Sequence, residues 1–437
     1  MTSADLPDRF TRPESDARFW NEGAQTTETA ELVRRAAAGI GEEWKRIWEQ
    51  PVAFYRRRFE AAGLSAGEIP PLDDIPRTTK NDLRADEVAH PPFGSYRTVG
   101  IRDAVRIGGS TGTSGTPVIM MFGPRDLQAA IEFQCRVLWR YGVRPGDSFT
   151  HSWPQGFYIS STSTALWFVR TGILEIPVGP PLTPDVALDH IRLWAQLRPD
   201  GFQMTSSQLA TYDEVARENG MDIRSFLDGK AIGLLDAIFQ FDGPRARIER
   251  AYGFSMRNMG GVGDIPGYGL TDCEHHTGLH TPGDYSVIQV VDPVTGRSVP
   301  EGERGHLVIT TFGLDNVFMR YDIEDICTMT TAPCPCGETG PRYTLLGRAT
   351  DAVDINGRMV LPIDVQLALD DHGAPEFQFA PSAEQDGTAL RLRVETEGRG
   401  AEYQTVLTEA LEVPVDVAEI GIGTLPRASF KPRRVAT

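Results

Sequence analysis

Long apolar runs are missing from this sequence: none approaches the ~18 to 20 residues that a membrane-spanning helix needs, so no membrane partner is expected. Its start, Met1-Thr2-Ser3-Ala4-Asp5-Leu6-Pro7-Asp8, lacks the basic and then apolar pattern of a signal peptide, and a cytoplasmic location is expected. Positive charge is short as well. Against 60 Asp and Glu stand 43 Lys and Arg, a net charge of −17, which argues against a nucleic-acid surface or adsorption to an anionic membrane while leaving room for a small basic anion pocket. Cysteine is scarce: 5 in 437 residues do not make a disulfide framework. Two of them, Cys334 and Cys336, are close enough in sequence to suggest a metal instead. The Walker loop, Gly-x-x-x-x-Gly-Lys-Ser/Thr, is absent too. What is present is ordinary globular material, 40% hydrophobic and 9% aromatic, in a chain long enough for at least two domains.

The most distinctive stretch is Gly108-Gly109-Ser110-Thr111-Gly112-Thr113-Ser114-Gly115-Thr116-Pro117. It follows an apolar-polar run read as a strand, Ala104 to Ile107, and precedes a second, Val118 to Phe122. Glycine lets the backbone approach an anion, hydroxyls donate to phosphate oxygens, and successive N–H groups form a concave nest. The other reading is a plain Ser/Thr/Gly-rich hairpin loop.

In chain order, residues 26–63 read as two helices, the first capped by Thr27 and separated at Gly41 from a second carrying Trp44, Ile47, Trp48, Phe54 and Phe59. Arg56-Arg57-Arg58 reads as a solvated helix face. A helical period runs from Leu127 to Trp139. Short apolar runs (148–151, 173–178, 201–204 and 232–235) then alternate with helical ones (188–197 and 207–217), which implies an α/β fold with a mostly parallel sheet. Ligands sit at the carboxyl ends of such strands. There stand His151-Ser152-Trp153 with Phe157 and Tyr158, then Thr205-Ser206-Ser207, then Asp236-Ala237-Ile238. Trp153, Phe157 and Tyr158 suit a flat apolar substrate, or simply a packed core.

Phe54 to Leu64, Ile75-Pro76-Arg77-Thr78-Thr79-Lys80-Asn81-Asp82-Leu83-Arg84 and Ser110 to Pro117 together resemble the phenylacetate-CoA ligase branch of the adenylate-forming enzymes, whose loop commonly reads Ser-Ser-Gly-Thr-Thr-Gly-Lys-Pro. The resemblance implies a large N-terminal domain, residues 1–346, with mostly parallel sheets, hinged to a small α+β domain, 347–437. It implies that a carboxylic acid is joined to ATP as an acyl-adenylate, with Mg2+ on the phosphates, and that the acyl group then passes to a thiol, most often CoA. On this likeness Ser110, Thr111, Gly112, Thr113, Ser114 and Gly115 hold phosphates, Asp325 of Arg320-Tyr321-Asp322-Ile323-Glu324-Asp325 grips the ribose, and Arg348 of Gly347-Arg348-Ala349-Thr350-Asp351 reaches phosphate or ribose. Lys431, after Leu425-Pro426-Arg427, matches the family's catalytic lysine; without the likeness it is a solvated residue near the end of the sequence. His151, Trp153, Phe157, Tyr158, Asp236 and Ala237 fall where the family places its acyl pocket, which points to an aromatic acid.

Three departures stand out. Tyr268-Gly269-Leu270-Thr271-Asp272 imitates the family's Tyr-Gly-Leu-Thr-Glu, but aligning Pro266-Gly267 and Cys273-Glu274…Gly278-Leu279-His280 puts Met259 to Gly263 on that motif, so Gly263 replaces the glutamate that supports magnesium. The family's Gly-Ala-Glu is Asp236-Ala237-Ile238, and its loop lysine is Thr116. A catalytically degenerate ligand-binding relative is therefore an alternative, as is an adenylating enzyme whose acceptor is an amine, a carrier protein or a small inorganic nucleophile. Cys334 and Cys336, with Cys273 and His280, compose a Cys3His set for structural Zn2+, an arrangement found within the resembled family. His275 and His276 are competing ligands, and two buried thiols with solvent-facing histidines are the reading without metal. Oligomeric state is left open.

Overall fold

The computed structural model describes residues 12–50, 52–109, 118–154, 156–157, 164–261, 265, 269–425 and 434–436. Ser110 to Gly115, Thr116, Tyr158, Gly263 and Lys431 lie outside the described residues.

The chain begins with α1 (Glu22–Gln25), α2 (Thr29–Glu49) and α3 (Ala53–Ala61). The break expected at Gly41 does not occur: α2 runs through it for 21 residues. A glycine costs a helix only ~1 kcal/mol, and the buried row Ala36, Ile40, Trp44 and Ile47 carries one apolar face across it. Thr27 is not the cap either. Glu28 takes that position, and the Thr27 hydroxyl donates back to the Gly23 carbonyl.

Next come β1 (Thr78–Thr79), α4 (Lys80–Ala89), the hairpin strands β2 (Arg106–Gly109) and β3 (Ile119–Phe122), and α5 (Pro124–Arg140). The strand expected over Ala104 to Ile107 lies two residues later, paired antiparallel with β3 from Arg106↔Phe122 to Gly109↔Ile119.

Strand and helix then alternate: β4 (Ser148–His151), α6 (Thr164–Thr171), β5 (Leu174–Pro177), α7 (Pro184–Leu197), β6 (Gly201–Met204), α8 (Ser206–Glu218), α9 (Arg224–Leu227), β7 (Ala231–Leu234), α10 (Asp242–Tyr252) and β8 (Ser255–Gly261). After them β9 (Gly269–Thr271), β10 (Leu279–His280), β11 (Ser286–Val291), β12 (Gly305–Thr311), β13 (Tyr321–Thr330) and β14 (Arg342–Arg348) return mainly antiparallel. One mixed 12-stranded sheet results, ordered β11-β12-β13-β14-β10-β9-β8-β7-β6-β4-β5 with β1 on β13. From β5 to β8 its strands are parallel, as alternation with helices requires.

The α/β class follows from burial on both faces of that parallel half. Phe202, Met204, Ile232 and Leu234 pack with Ile191, Trp194 and Tyr212 of α7 and α8, while Phe149 packs with Trp139 and Phe168 of α5 and α6. Beyond the short 3-10 turn Ala349–Asp351 come β15 (Val353–Ile355), β16 (Arg358–Val360), α11 (Pro362–Ala368), β17 (Phe377–Phe379), β18 (Leu390–Glu395), α12 (Gly400–Leu411) and β19 (Val415–Ile420). These build an apolar cluster of their own around Phe379, Leu390, Leu392 and Leu407. They meet the large sheet through Ile326, Leu346, Leu361 and Ile363, through Arg304 to Asp364 at 2.7 Å and through Arg247 to Asp370. Among the described residues no helix is long and apolar enough to cross a membrane.

Candidate active site and metal cluster

The carboxyl ends of β4, β6 and β7 and the end of β2 converge on one edge of the sheet. Gly109, the last residue before the Ser/Thr/Gly loop, donates its N–H to the Phe157 carbonyl at 2.9 Å, and Arg106 donates to the Gly156 carbonyl at 2.7 Å. A Cβ at Gly109 would lie 2.2 Å from the Phe157 ring, so glycine is what allows this approach. The start of the loop is thereby held against the segment that leaves β4.

Along β4 the side chains alternate between two environments. Thr150 accepts from the Trp194 indole at 3.0 Å, and Ser152 donates to Gln208 at 2.7 Å. Phe149, His151 and Trp153 join the other side, where His151 stacks on Phe168 with centroids 5.8 Å apart. His151 Nε2 meets Glu175 Oε1 of β5 at 3.0 Å. Nothing in the sequence paired these two; the available signal was a lone acid inside the apolar run Leu174-Glu175-Ile176. Trp153 is buried, whereas Phe157 is 47% exposed.

Thr205 caps α8, accepting from the Gln208 N–H. The next residue, Ser206, donates to the Asp236 carboxylate, and Asn258 of β8 donates to the Asp236 carbonyl, which places Ala237 at the start of the 3-10 turn Ala237–Gln240. A cleft of about 370 Å³ opens beside Asp236 toward Arg247, Asp370 and Glu376. Asp325 and Arg348 face each other across β13 and β14, with Arg348 Nε 3.8 Å from Asp325 Oδ1.

The competing stretch ending at Asp272 has another task. Gly269–Thr271 forms β9, antiparallel to the end of β8. The buried Asp272 carboxylate accepts from the Asn258 N–H at 2.7 Å and lies 2.6 Å from His276 Nδ1. Burial raises its pKa despite those partners.

Away from this edge, Cys273, His280, Cys334 and Cys336 come together, their ligand atoms all within 4.8 Å of one another and all four residues buried. Cys273 Sγ is 3.6 Å from Cys334 Sγ, and Cys336 Sγ is 3.5 Å from His280 Nε2. A tetrahedral ion with bonds of about 2.0–2.3 Å sets its ligands roughly 3.3–3.8 Å apart, so the set fits zinc without an open position. The rival histidines are elsewhere: His276 sits on Asp272, and His275 lies 3.5 Å from Glu274. A hydrogen bond from Cys336, with His280 beside it, holds the Cys273 thiol well below its ordinary range. Burial opposes the His280 cation, yet its bonds to Cys273 and Cys334 carry it up to about 9. Thiolate charge so deeply placed calls for a cation. Behind the cluster, Glu338 lies 3.9 Å from His280 Nδ1, pairs with Arg140 and accepts from Gln25 at 3.2 Å, while Arg18 donates to the Cys336 carbonyl at 2.7 Å. The cysteine loop thus ties down α1.

A large mixed sheet with helices on both faces of its parallel half, followed by a small α+β unit, is the architecture of the adenylate-forming acyl-CoA ligases. The whole chain superposes on 2-hydroxyisobutyryl-CoA ligase in its postadenylation state with a TM-score of 0.86 and 26% identity, covering 100% of this chain and 96% of that one. Against the same enzyme in the thioesterification state, in complex with its acyl-AMP and CoA, the TM-score is 0.72 at 26% identity, covering 100% and 96%. No family model matches the sequence. The phenylacetate-coenzyme A ligase of Thermus thermophilus is 30% identical over 353 residues, 79% of this chain and 77% of that enzyme, and the chain belongs to the phenylacetate-CoA ligase family.

Proposed function

We propose that this chain activates an aromatic carboxylic acid by attack of its carboxylate on the α-phosphorus of ATP, releasing pyrophosphate, and passes the acyl group to the CoA thiol. The observation that carries this reading is the pairing of Gly109 with Phe157, which holds the residue leading into the Ser/Thr/Gly loop against the aromatic segment that follows β4. Little covalent chemistry falls to the protein, so its work is positioning and neutralising charge as it develops. Ser110, Thr111, Thr113 and Ser114, with Gly112 and Gly115 giving access, hold the phosphates and their Mg2+. Asp325 accepts from the ribose hydroxyls, with Arg348 beside it. Lys431 enters to neutralise the carboxylate and α-phosphate oxygens. His151, Trp153, Phe157, Tyr158, Asp236 and Ala237 surround the acid. Residues 347–437 form the moving unit, pivoting about 348–354, and the higher similarity to a postadenylation state supports the arrangement seen as the one that follows adenylation. Zinc held by Cys273, His280, Cys334 and Cys336 is structural, closing the cysteine loop onto α1. A cytoplasmic location is part of this reading, supported by ATP and CoA as its co-substrates.

Acid-dependent exchange of labelled pyrophosphate into ATP tests this whatever the acceptor is. Aryl acids are expected to support exchange far better than decanoate or palmitate; equal rates overturn the aromatic assignment. Exchange with no acid in a broad panel overturns adenylation, in favour of the ligand-binding relative that Gly263, Ile238 and Thr116 favour.

A further inference from the structure

Three buried polar atoms near the end of β4 have no hydrogen-bond partner among the described residues: His151 Nδ1, Trp153 Nε1 and Thr164 Oγ1. Their residues are only 1%, 8% and 5% exposed. An unpaired buried donor or acceptor costs about 1–3 kcal/mol, so such atoms are seldom left without a purpose.

Their placement brings them to one end of one layer. Phe149 and His151 lie against Phe168 of α6, with centroids 6.0 and 5.8 Å away, and Trp153, two residues further along, belongs to the same apolar cluster. Thr164 precedes Phe168 by one helical turn and shares its face of α6. Because α6 runs back between the parallel neighbours β4 and β5, its first residue stands at their carboxyl end, the end at which Trp153 follows β4. That end is where Gly109 leads into the phosphate-type loop. On the opposite side of β4, Thr150 and Ser152 both have partners, and among the described residues the one unpaired atom there is Nε2 of Gln208, whose other side-chain atom Oε1 accepts from Ser152 and from the Thr205 N–H.

We propose that these atoms recognise a hydroxyl group on the acyl portion of the substrate, so that the preferred acid is a hydroxylated aromatic acid. The proposal rests on reading this edge as the acyl pocket. Glu175 accepts from His151 Nε2–H, which leaves Nδ1 as a lone-pair acceptor; an indole N–H only donates. A hydroxyl satisfies both at once, accepting from Trp153 and donating to His151, with Thr164 able to do either. A plain phenyl ring satisfies neither, and a carbonyl cannot donate. Glu175 acts through His151 and is a positioning residue, since it selects the tautomer that leaves Nδ1 free to accept.

The experiment compares acids that differ by one hydroxyl in pyrophosphate exchange on the full chain: phenylacetate against the three hydroxyphenylacetates and mandelate, and benzoate against the three hydroxybenzoates. At least one hydroxylated acid is expected to exceed its parent in kcat/KM by roughly 10²-fold, because a site built to bond a hydroxyl rejects the analogue that lacks it. Trp153→Phe, Thr164→Val and Glu175→Gln should each reduce that ratio by about tenfold or more, chiefly through KM for the hydroxylated acid. A purely structural role would change rates with parent and hydroxylated acids alike and leave the ratio where it was. Wild-type exchange that is equal within every pair means that water meets these atoms, and overturns the inference while leaving adenylation standing. Exchange with no acid at all overturns both.

Discussion

Asp126, at the start of α5, is fully buried and accepts from the N–H groups of Gly123, Asp315 and Asn316 and from the Asn316 side chain. Burial outweighs those four donors and lifts its pKa from the ordinary 3.8 to about 6. Folding therefore takes up a proton between those values, so this group's contribution falls as pH rises through the window and stays low above it. A shift of about two units corresponds to ~3 kcal/mol. Asp126→Asn carries a pH-independent cost from its lost acceptor, but its stability relative to wild type should improve by up to ~3 kcal/mol between pH 4 and pH 6.5. Urea unfolding at several pH values reads this directly; parallel wild-type and variant curves would show that Asp126 does not titrate there. At the metal cluster, about one zinc per chain is expected. Cys273→Ser or Cys336→Ser should lose it and lower Tm even without substrate, because a closed site contributes its binding energy to folding. Glu338→Gln, behind His280, should weaken zinc ~10- to 100-fold in chelator competition. Protein purified without chelator and free of zinc by elemental analysis would contradict the site.

Between elements, close approach decides more than propensity does. Gly233 of β7 faces the buried Tyr141 that ends α5: a Cβ there would stand 2.6 Å from the ring and its hydroxyl, which already accepts from Gln203 at 3.3 Å. Gly233→Ala must push that ring into a filled core, and overpacking of this kind costs about 1–3 kcal/mol. Denaturant unfolding should show that loss with an unchanged m-value. A variant as stable as wild type would mean that β7 and α5 can separate freely. Gly41, by contrast, has nothing within 4 Å of the position a Cβ would take. This is why α2 runs through it: a glycine with no contact to protect is a small propensity cost, and the buried face of the helix outweighs it.

Among the described residues, the contacts between the two units include an apolar cluster and the ion pairs of Arg304 with Asp364 and Arg247 with Asp370. An interface of that kind can be exchanged for another, as the proposed cycle of adenylation and transfer would use. In the proposed cycle Lys431 serves adenylation alone. A compact, strongly hydrated ammonium on a flexible stem can neutralise charge in the closed state and withdraw afterwards. Lys431→Ala should therefore lower the adenylation rate by roughly 10² or more while leaving ATP binding largely intact, because the contact is strongest where charge develops. Transfer to CoA from synthetic acyl-adenylate should be much less affected. Wild-type adenylation by this variant would return Lys431 to the status of a solvated residue.

The four strands β4 to β7 and the helices α7 and α8 were legible in the sequence, because a sheet covered on both faces needs short apolar runs and a helix needs a 3.6-residue period, both local patterns; α6 and the short α9 were not read from it. Asp325, Arg348 and Lys431 could be named only through their likeness to the family's motifs. Which histidine joins Cys273, Cys334 and Cys336 was settled by pairing: β10 sets His280 opposite Arg342 beyond the cysteine turn, while the turn before it sends His276 to Asp272. The partnership of His151 with Glu175, and the orphaned polar atoms above it, come from the parallel register of β4 against β5 and the return path of α6. Such contacts join residues tens of positions apart, and their distances depend on backbone packing that no local pattern encodes.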